Sequence, residues 1–565
     1  MAQILPLETS NIDAAANHNV ARRLAAQAAE LGSRVAIAVP KSKKRGGKRV
    51  YDTMSFEELE ADSNRIASGL AEWGVAPGMR IALLVPPSSE FISLVFALFK
   101  AGAVIVLIDP GMGRRNLLRC LAEAEPEGMI AIPLAQIVRV LFRRKFPRAR
   151  FNVTVGSRRM GGAISLAELR RRGRSAEFCY PAADRDPAAL LFTTGSTGPP
   201  KGVLYRHGNF DQQVTELADF YGIRPGEVDL PGFPLFGLFN CALGVTTVIP
   251  QMDASRPARV DPSLICEAIR DWNVTQSFGS PAIWNRVGQY CEKHNVRLPS
   301  LSRVLSAGAP VPPHVLAKMK GAIATEGDIH TPYGATEALP VASISASEVL
   351  GETQYAWAQG GGTCVGRRFP GIRWKVIRIV DGPISSLEEV LELAANEIGE
   401  LIVSGPVVTT QYVTRVENNA LAKIQDGANF WHRIGDAGYL DRQDRFWFCG
   451  RVAHRVQTER GVLYTEPCEG IFNQHPAVFR SALVGVGPAG RQRPVLIAET
   501  WPERRPRSRA ARRKLLGELG EIAAGHELTR EIQHFILHRS LPVDIRHNAK
   551  IFREQLAVWA TRRLR

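Results

Sequence analysis

Leu190-Leu-Phe-Thr-Thr-Gly-Ser-Thr-Gly-Pro-Pro-Lys-Gly202 passes from an apolar run straight into hydroxyls, glycines, prolines and one lysine. That composition suits a phosphate cradle. Glycines free the backbone to turn its N–H groups toward an anion, the Thr and Ser hydroxyls add donors, and Lys201 brings a compact positive charge. The apolar run Ala188 to Phe192 predicts a buried strand, and Asn209 with Phe210, Val214, Leu217 and Phe220 predicts a capped amphipathic helix beyond it. The loop is therefore expected between a strand and a helix. It differs from the common nucleotide-hydrolase loop, whose lysine precedes Ser or Thr, because Gly202 follows Lys201. A Gly/Ser surface connector has a similar composition, so the rest of the chain must decide.

At 565 residues the chain exceeds the length over which one hydrophobic core grows, so at least two domains are expected. With 45% hydrophobic and 22% charged residues it reads as globular throughout. The apolar region Phe91 to Ile108 is interrupted by Lys100 and Gly102, which predicts a buried helix and a strand, with no transmembrane segment. No basic segment followed by an apolar stretch opens the chain, so no signal peptide is expected. Eight scattered cysteines without a Cys-x-x-Cys pair predict reduced thiols and a cytoplasmic location. The net charge of +16 is spread widely, and its densest run, Arg504 to Lys514, has no aromatic residue to stack on bases. No nucleic-acid partner is expected, and that run reads as a solvated face or a docking face for a partner protein.

Ser55 and Glu58 form a capping box ahead of Leu59, Ile66, Leu70 and Trp73 on one helical face, with a stop at Gly74. Arg80 to Val85 reads as a strand, Ser88 or Ser89 as the cap of a helix ending near Gly102, and Ala103 to Ile108 as a strand again. Strand, helix and strand within about thirty residues make a βαβ unit, hence a parallel sheet covered on both faces. The pattern recurs where Val304 and Leu305 run into Ser306-Ala-Gly-Ala-Pro310, with a further turn at Thr331-Pro-Tyr-Gly334. Such turns at strand ends are where open α/β sheets hold ligands. From Glu397 short strands appear, at Leu401 to Ser404, Phe446 to Cys449 and Ser481 to Val486, and a helical pattern follows Asn548. The expected fold is α/β. Residues 1–449 form a large domain of doubly wound, mostly parallel sheets, and residues 450–565 a small mixed α/β domain.

Four further groups carry chemistry. Tyr333-Gly-Ala-Thr-Glu337 joins an aromatic plate, a hydroxyl and a carboxylate able to hold Mg²⁺, though a solvated helix start has the same look. Gly435-Asp436 offers a turn carboxylate to a ribose diol, or a plain Asx-turn. Gly450-Arg451 offers a guanidinium for phosphate or ribose oxygens, and Asn548-Ala-Lys-Ile-Phe-Arg553 carries Lys550, which alone would read as a solvated lysine.

Thr193 to Gly202 is similar to the signature of the adenylate-forming enzymes, the acyl-CoA synthetase and luciferase superfamily. The other four groups follow in that superfamily's order and approximate separations, from about Val20 to Leu556. The resemblance implies ATP and Mg²⁺ as cofactors. Thr193, Thr194, Gly195, Ser196, Thr197, Gly198 and Lys201 would grip the β- and γ-phosphates, with Glu337 and Thr194 toward the metal. Tyr333 and Gly334 would meet adenine beside Ala307, Gly308, Ala309 and Pro310, Thr336 would serve phosphate, and Asp436 and Arg451 would hold the ribose. Lys550 would arrive on a mobile small domain that rotates about the Gly450 segment. Lys550, Lys201 and Glu337 would then neutralise charge while a carboxylate attacks the α-phosphorus, giving acyl-AMP and pyrophosphate.

Departures from the general pattern narrow the acid. Ala453 stands where an acidic residue is usual, Ala549 where Gly is usual, and Gly237 after Phe236 where acyl-CoA synthetases often have His. No acidic residue between Phe233 and Gly244 would pair with an α-ammonium group, which argues against amino-acid activation. Phe233, Leu235, Phe236, Leu238 and Phe239 would suit a pocket for alkyl chains or, equally, a core strand. With Tyr464-Thr-Glu-Pro-Cys-Glu469 and Asp544-Ile-Arg-His-Asn-Ala-Lys-Ile-Phe-Arg553, the chain resembles the olefin β-lactone synthetases of bacterial long-chain olefin biosynthesis. That implies a 2-alkyl-3-hydroxy fatty-acid substrate whose own hydroxyl closes a four-membered ring, and other olefin-pathway enzymes as partners. A long-chain fatty acyl-CoA synthetase would share the first half-reaction. A non-catalytic acyl- or nucleotide-binding subunit is a third reading, against which Lys201, Glu337, Asp436 and Lys550 speak.

Overall fold

The computed structural model describes residues 17–45, 48–156, 160–193, 199–233, 236–544 and 550–564. In it Pro187–Phe192 is a strand, and every residue but Leu191 is buried. It belongs to a seven-stranded sheet whose spatial order is Ile164–Ser165, Phe151–Thr154, Gly128–Ala131, Arg80–Leu84, Val104–Leu107, Pro187–Phe192 and Gly202–Arg206. All neighbours run parallel except the last pair. The phosphate-type loop thus joins two antiparallel strands, with Phe192 opposite Gly202, and not a strand to a helix. Val203, Leu204 and Tyr205 are buried at this sheet edge, and the helix His207–Tyr221 begins only after them. Asn209 is accordingly not the N-cap but the third helical residue, and it closes the helix start from there, its carbonyl accepting from Arg206 N at 3.0 Å and its amide donating to Pro406 O at 2.7 Å.

A second seven-stranded sheet runs Asp328–His330, Arg303–Ser306, Gln276–Gly279, Val228–Asp229, Thr246–Val248, Val35–Arg45 and Lys48–Ser55, again parallel until its terminal hairpin. Helices Phe56–Glu72 and Ser89–Lys100 fill the space between the sheets; the second touches both Val104–Leu107 and Val35–Arg45. The Ser55–Glu58 capping box forms, and Ser88 caps the second helix. All residues from Phe91 to Lys100 are buried. Lys100 tolerates this because its ammonium meets Glu60 at 2.7 Å, Ser63 at 2.8 Å and Asn64 at 2.6 Å.

The third sheet departs from the expected parallel architecture. It has eight strands, among them Tyr333–Ala335, Ala338–Ser343, Gly399–Ser404, Asn429–Leu440 and Arg445–Arg451, all antiparallel to their neighbours. Gly399–Ser404 is buried at all six positions, so its sequence lacks the alternation that marks an antiparallel strand with one wet face. The C-terminal part is smaller and mixed: Val478–Val486, Arg493–Thr500 and His534–His538 form a three-stranded sheet, with helices Thr465–Phe472, Arg509–Ala524 and Arg553–Leu564. The strand Arg445–Arg451 of the third sheet carries Gly450, at φ +127°, and is followed by a short turn at Val452–His454. Thr363 Oγ1 to Glu466 at 3.2 Å and Arg455 to Asp381 at 2.7 Å tie the two parts together.

Among the described residues no helix is long and apolar enough to cross a membrane. Phe96 is 1% exposed in the layer shared by the two parallel sheets. Phe96→Ala should cost about 3–5 kcal/mol and lower the urea midpoint correspondingly; a midpoint within error of the parent would show that this helix does not bind the sheets together.

Candidate functional site

A cavity of about 980 Å³ opens where the three large sheets and the C-terminal part meet. Thr193, Lys201, Ala307, Gly308, Gly334, Thr336, Glu337, Arg451 and Lys550 all line it. These residues come from opposite ends of the chain.

At one wall the mouth of the phosphate-type loop is pinned, since Thr193 N donates to Lys201 O and Lys201 N to Thr193 Oγ1, both at 3.0 Å. Thr194, Gly195, Ser196, Thr197 and Gly198 lie outside the described residues. The Lys201 ammonium sits 4.4 Å from the centre of the Tyr412 ring and 3.3 Å from its hydroxyl, which in turn donates to Glu337 Oε1 at 2.6 Å. Asn419 brackets the Tyr412 backbone from both sides, at 2.7 and 3.0 Å. Burial pulls the Lys201 pKa down, with Glu337 opposing and Arg451 adding to the fall. Glu337 does not start a helix. With Thr336 it forms the tip between the paired strands Tyr333–Ala335 and Ala338–Ser343, held where Thr409 N donates to Glu337 O at 2.8 Å and Tyr205 Oη to Thr336 O at 2.6 Å.

Asp436 sits within the strand Asn429–Leu440, opposite Arg451, and not on a turn. Gly435, at φ +75°, bulges this strand where its register against Gly399–Ser404 shifts, so the Gly-Asp pair marks a bulge. Tyr333 Oη donates to Asp436 Oδ2 at 2.5 Å. Arg451 lies 3.1 Å from Oδ1 but directs its hydrogen bond to Ile434 O at 2.8 Å, leaving Oδ1 buried without a hydrogen bond among the described residues. The attraction of Asp436 raises the Arg451 pKa. Lys550 is held by its backbone: Asp544 N donates to Lys550 O at 3.0 Å, and Lys550 N to Asp544 Oδ1 at 2.9 Å. Burial first, then Arg451, lowers the pKa of its ammonium, while Asp544, Asp436 and Glu337 oppose the fall.

Ala309, Pro310, Tyr333, Asp436 and Gly237 are not part of the cavity lining. The Tyr333 ring packs instead toward Phe446, at 5.9 Å between centres, and Phe448, at 6.5 Å. Gly237 answers a packing need, because a Cβ there would come within 2.7 Å of Pro231 Cγ. Its segment forms a short 3₁₀ helix, Phe236–Phe239, and not a core strand. The Phe236 side chain and all of Leu235 lie outside the described residues, whereas Phe233, Leu238 and Phe239 do line the cavity.

Several lining residues had no signal in the sequence. Tyr412 belongs to no motif, and only the fold brings it between Lys201 and Glu337. Ser280 precedes the helix Pro281–His294, and its hydroxyl is buried with no hydrogen-bond partner among the described residues. Because Gly279 pairs with Ser306, Ser280 stands beside Ala307. Asp229 pairs with Gln276, about 13 Å deeper at 3.3 Å per residue. It is 4% exposed and accepts from Asn240 Nδ2 at 2.6 Å, and burial pushes its carboxyl up to about 7.

The family model described as AMP-binding enzyme matches residues 24–413. The chain belongs to the AMP-binding enzyme family. It is 46% identical over 550 residues to an olefin beta-lactone synthetase of Xanthomonas campestris pv. campestris, covering 96% of this chain and 97% of that one. A protein of the same name from Stenotrophomonas maltophilia is 46% identical over 554 residues, covering 97% and 98%. The fold of this AMP-binding enzyme is that of ATP-bound MatB from Rhodopseudomonas palustris, with a TM-score of 0.76 over 97% of this chain and 100% of that one, at 19% identity.

Asp229 gives this AMP-binding enzyme a pH signature. Its carboxyl titrates near 7 in the folded state and near 4 when unfolded, so between those values only the folded protein keeps the proton. Stability contributed here is present at acid pH and lost as pH rises through the window. Asp229→Asn does not titrate, so the urea midpoint of the parent should fall relative to the variant between pH 5 and pH 7. Midpoints that run parallel across that range would contradict the assignment.

Proposed function

We propose that this AMP-binding enzyme activates a 2-alkyl-3-hydroxy fatty acid with ATP and closes it to a β-lactone. The carboxylate attacks the α-phosphorus and pyrophosphate leaves; the 3-hydroxyl then attacks the acyl carbon, losing its proton, and AMP leaves. The observation that carries the reading is one cavity lined by Lys201, Glu337, Arg451 and Lys550 in a chain 46% identical, over nearly its whole length, to proteins named for that product.

Each residue has work in this scheme. Lys201 and the hydroxyls of Thr193 to Gly198 would hold the β- and γ-phosphates. Asp436, whose neighbours Gly435 and Arg451 line the cavity, would turn its Oδ1, without a hydrogen bond among the described residues, to a ribose hydroxyl, with Arg451 beside it and Tyr333 holding the other carboxylate oxygen. Glu337 gives one oxygen to Tyr412 and keeps the other, and a single carboxylate fits Mg²⁺, which retains water and phosphate ligands. Glu337, with Thr194, would hold that ion, whose bound charge supplies neutralisation of the phosphates. Lys550 would bridge the acid's carboxylate and the α-phosphate. Phe233, Leu238 and Phe239 offer apolar wall to the alkyl chains, and the Ser280 hydroxyl, without a hydrogen-bond partner among the described residues, would be open to a polar atom of the substrate.

We take residues 450–565 as a mobile domain swinging at Gly450 and the Val452–His454 turn. The eight free cysteines suit a cytoplasmic setting, and other enzymes of olefin formation are the proposed partners. Incubation with ATP, Mg²⁺ and a 2-alkyl-3-hydroxy fatty acid, without coenzyme A, should give lactone and AMP in equal amounts by mass spectrometry. No lactone, with thioester forming once coenzyme A is added, would establish an acyl-CoA synthetase instead. Lys550→Ala should slow adenylation, followed as ATP–pyrophosphate exchange, by about 10²-fold or more; an unchanged rate would remove the role assigned to this lysine.

A further inference from the structure

The helix Pro133–Leu141 is built inside out. Its fully buried residue is Gln136, whose amide donates to Met129 O at 3.0 Å and Val153 O at 2.9 Å, and whose carbonyl accepts from Arg139 Nε at 2.7 Å. Its large apolar residues on the other face look outward: Leu134 is 67% exposed, Ile137 39% and Leu141 73%, while Ala135 and Val138 are half-buried. Spaced i, i+3 and i+7, they make one stripe, which a helix of a globular protein normally turns to the core. Val140 and Phe142, also exposed, widen it.

The chain runs from this stripe directly into Arg143, Arg144 and Lys145, all exposed and without an ion pair among the described residues. Arg148, a little further along the chain, is by contrast paired, with Glu125 at 3.6 Å and Glu127 at 2.6 Å. An apolar stripe edged by unpaired cations is the pattern of a helix that lies in a membrane interface, side chains in the acyl boundary and cations at the phosphates.

We propose that Pro133–Leu141 and the following Arg143–Lys145 dock this protein on an anionic lipid surface. A second copy fits the same face poorly, since a two-fold contact would press two unpaired Arg-Arg-Lys clusters together in a chain of net charge +16. The inference rests on this helix and does not depend on which product the enzyme makes, although a fatty acid with two alkyl chains would itself reside in such a surface.

Sedimentation of the full chain with phosphatidylcholine vesicles, with and without phosphatidylglycerol, tests it. The parent should co-sediment with the anionic vesicles and lose that binding as salt is raised. The triple variant Arg143→Gln, Arg144→Gln, Lys145→Gln should partition on the order of 10²-fold more weakly, and Leu141→Ser about tenfold more weakly, both with unchanged circular dichroism. Equal binding to neutral and anionic vesicles, no vesicle binding, or binding that neither variant weakens would overturn the proposal. Light scattering that shows a dimer dispersed by Leu141→Ser, without vesicle binding, would assign the face to a second copy.

Discussion

Lys201 holds its ammonium largely away from water with no carboxylate in salt-bridge contact among the described residues; its neighbours are the face and hydroxyl of Tyr412. Such a charge is costly to bury, and the fall in its pKa records the cost. Lys550 arrives at the same cavity under the same penalty, deepened by Arg451. Other cations of the cavity wall are already matched: Arg415 by Glu123, Arg433 by Glu400 and Arg455 by Asp381, at 2.6 to 2.7 Å. Lys201 therefore marks where positive potential collects, and a polyphosphate is the kind of ligand that relieves it.

The fold's part is to set that potential beside an apolar wall. Parallel strands deliver Ala307, Gly308 and Ser280 from one sheet, the antiparallel sheet delivers Glu337 and Arg451, and the C-terminal part contributes Lys550. No one sheet holds the whole arrangement. Tyr412 is the joint between two of these contributions, because its hydroxyl receives from Lys201 and gives to Glu337.

Much of this was legible in the sequence because particular residues have few other uses. The βαβ pattern around Phe91 to Lys100, the capping box at Ser55 and the run ending at Phe192 follow from local periodicity and capping. Lys201, Glu337, Arg451 and Lys550 stood out by motif and order, and they do share one cavity. What escaped was decided by pairing between distant segments. Gly435-Asp436 looks like a turn until Gly399–Ser404 pairs beside it and makes a bulge. The strand Gly202–Arg206 is short and buried, so only its partner shows that it precedes the helix. Tyr412 and Ser280 are ordinary residues made distinctive by their neighbours. The helix at Gln136 escaped for a related reason, since periodicity tells that a helix has two faces but not which one meets the protein.

Asp436 and Arg451 face each other across adjacent strands, upstream of the Val452–His454 turn, while Lys550 lies far downstream of it. With the pivot proposed at that turn, the groups proposed to grip the nucleotide and the group proposed to drive its activation would stand on opposite sides of the moving joint. An acyl phosphate anhydride is prone to hydrolysis whenever water reaches it. Withdrawal of Lys550 would then leave the anhydride's grip intact, and the fraction of intermediate wasted to hydrolysis would be a property of the larger part of the chain alone.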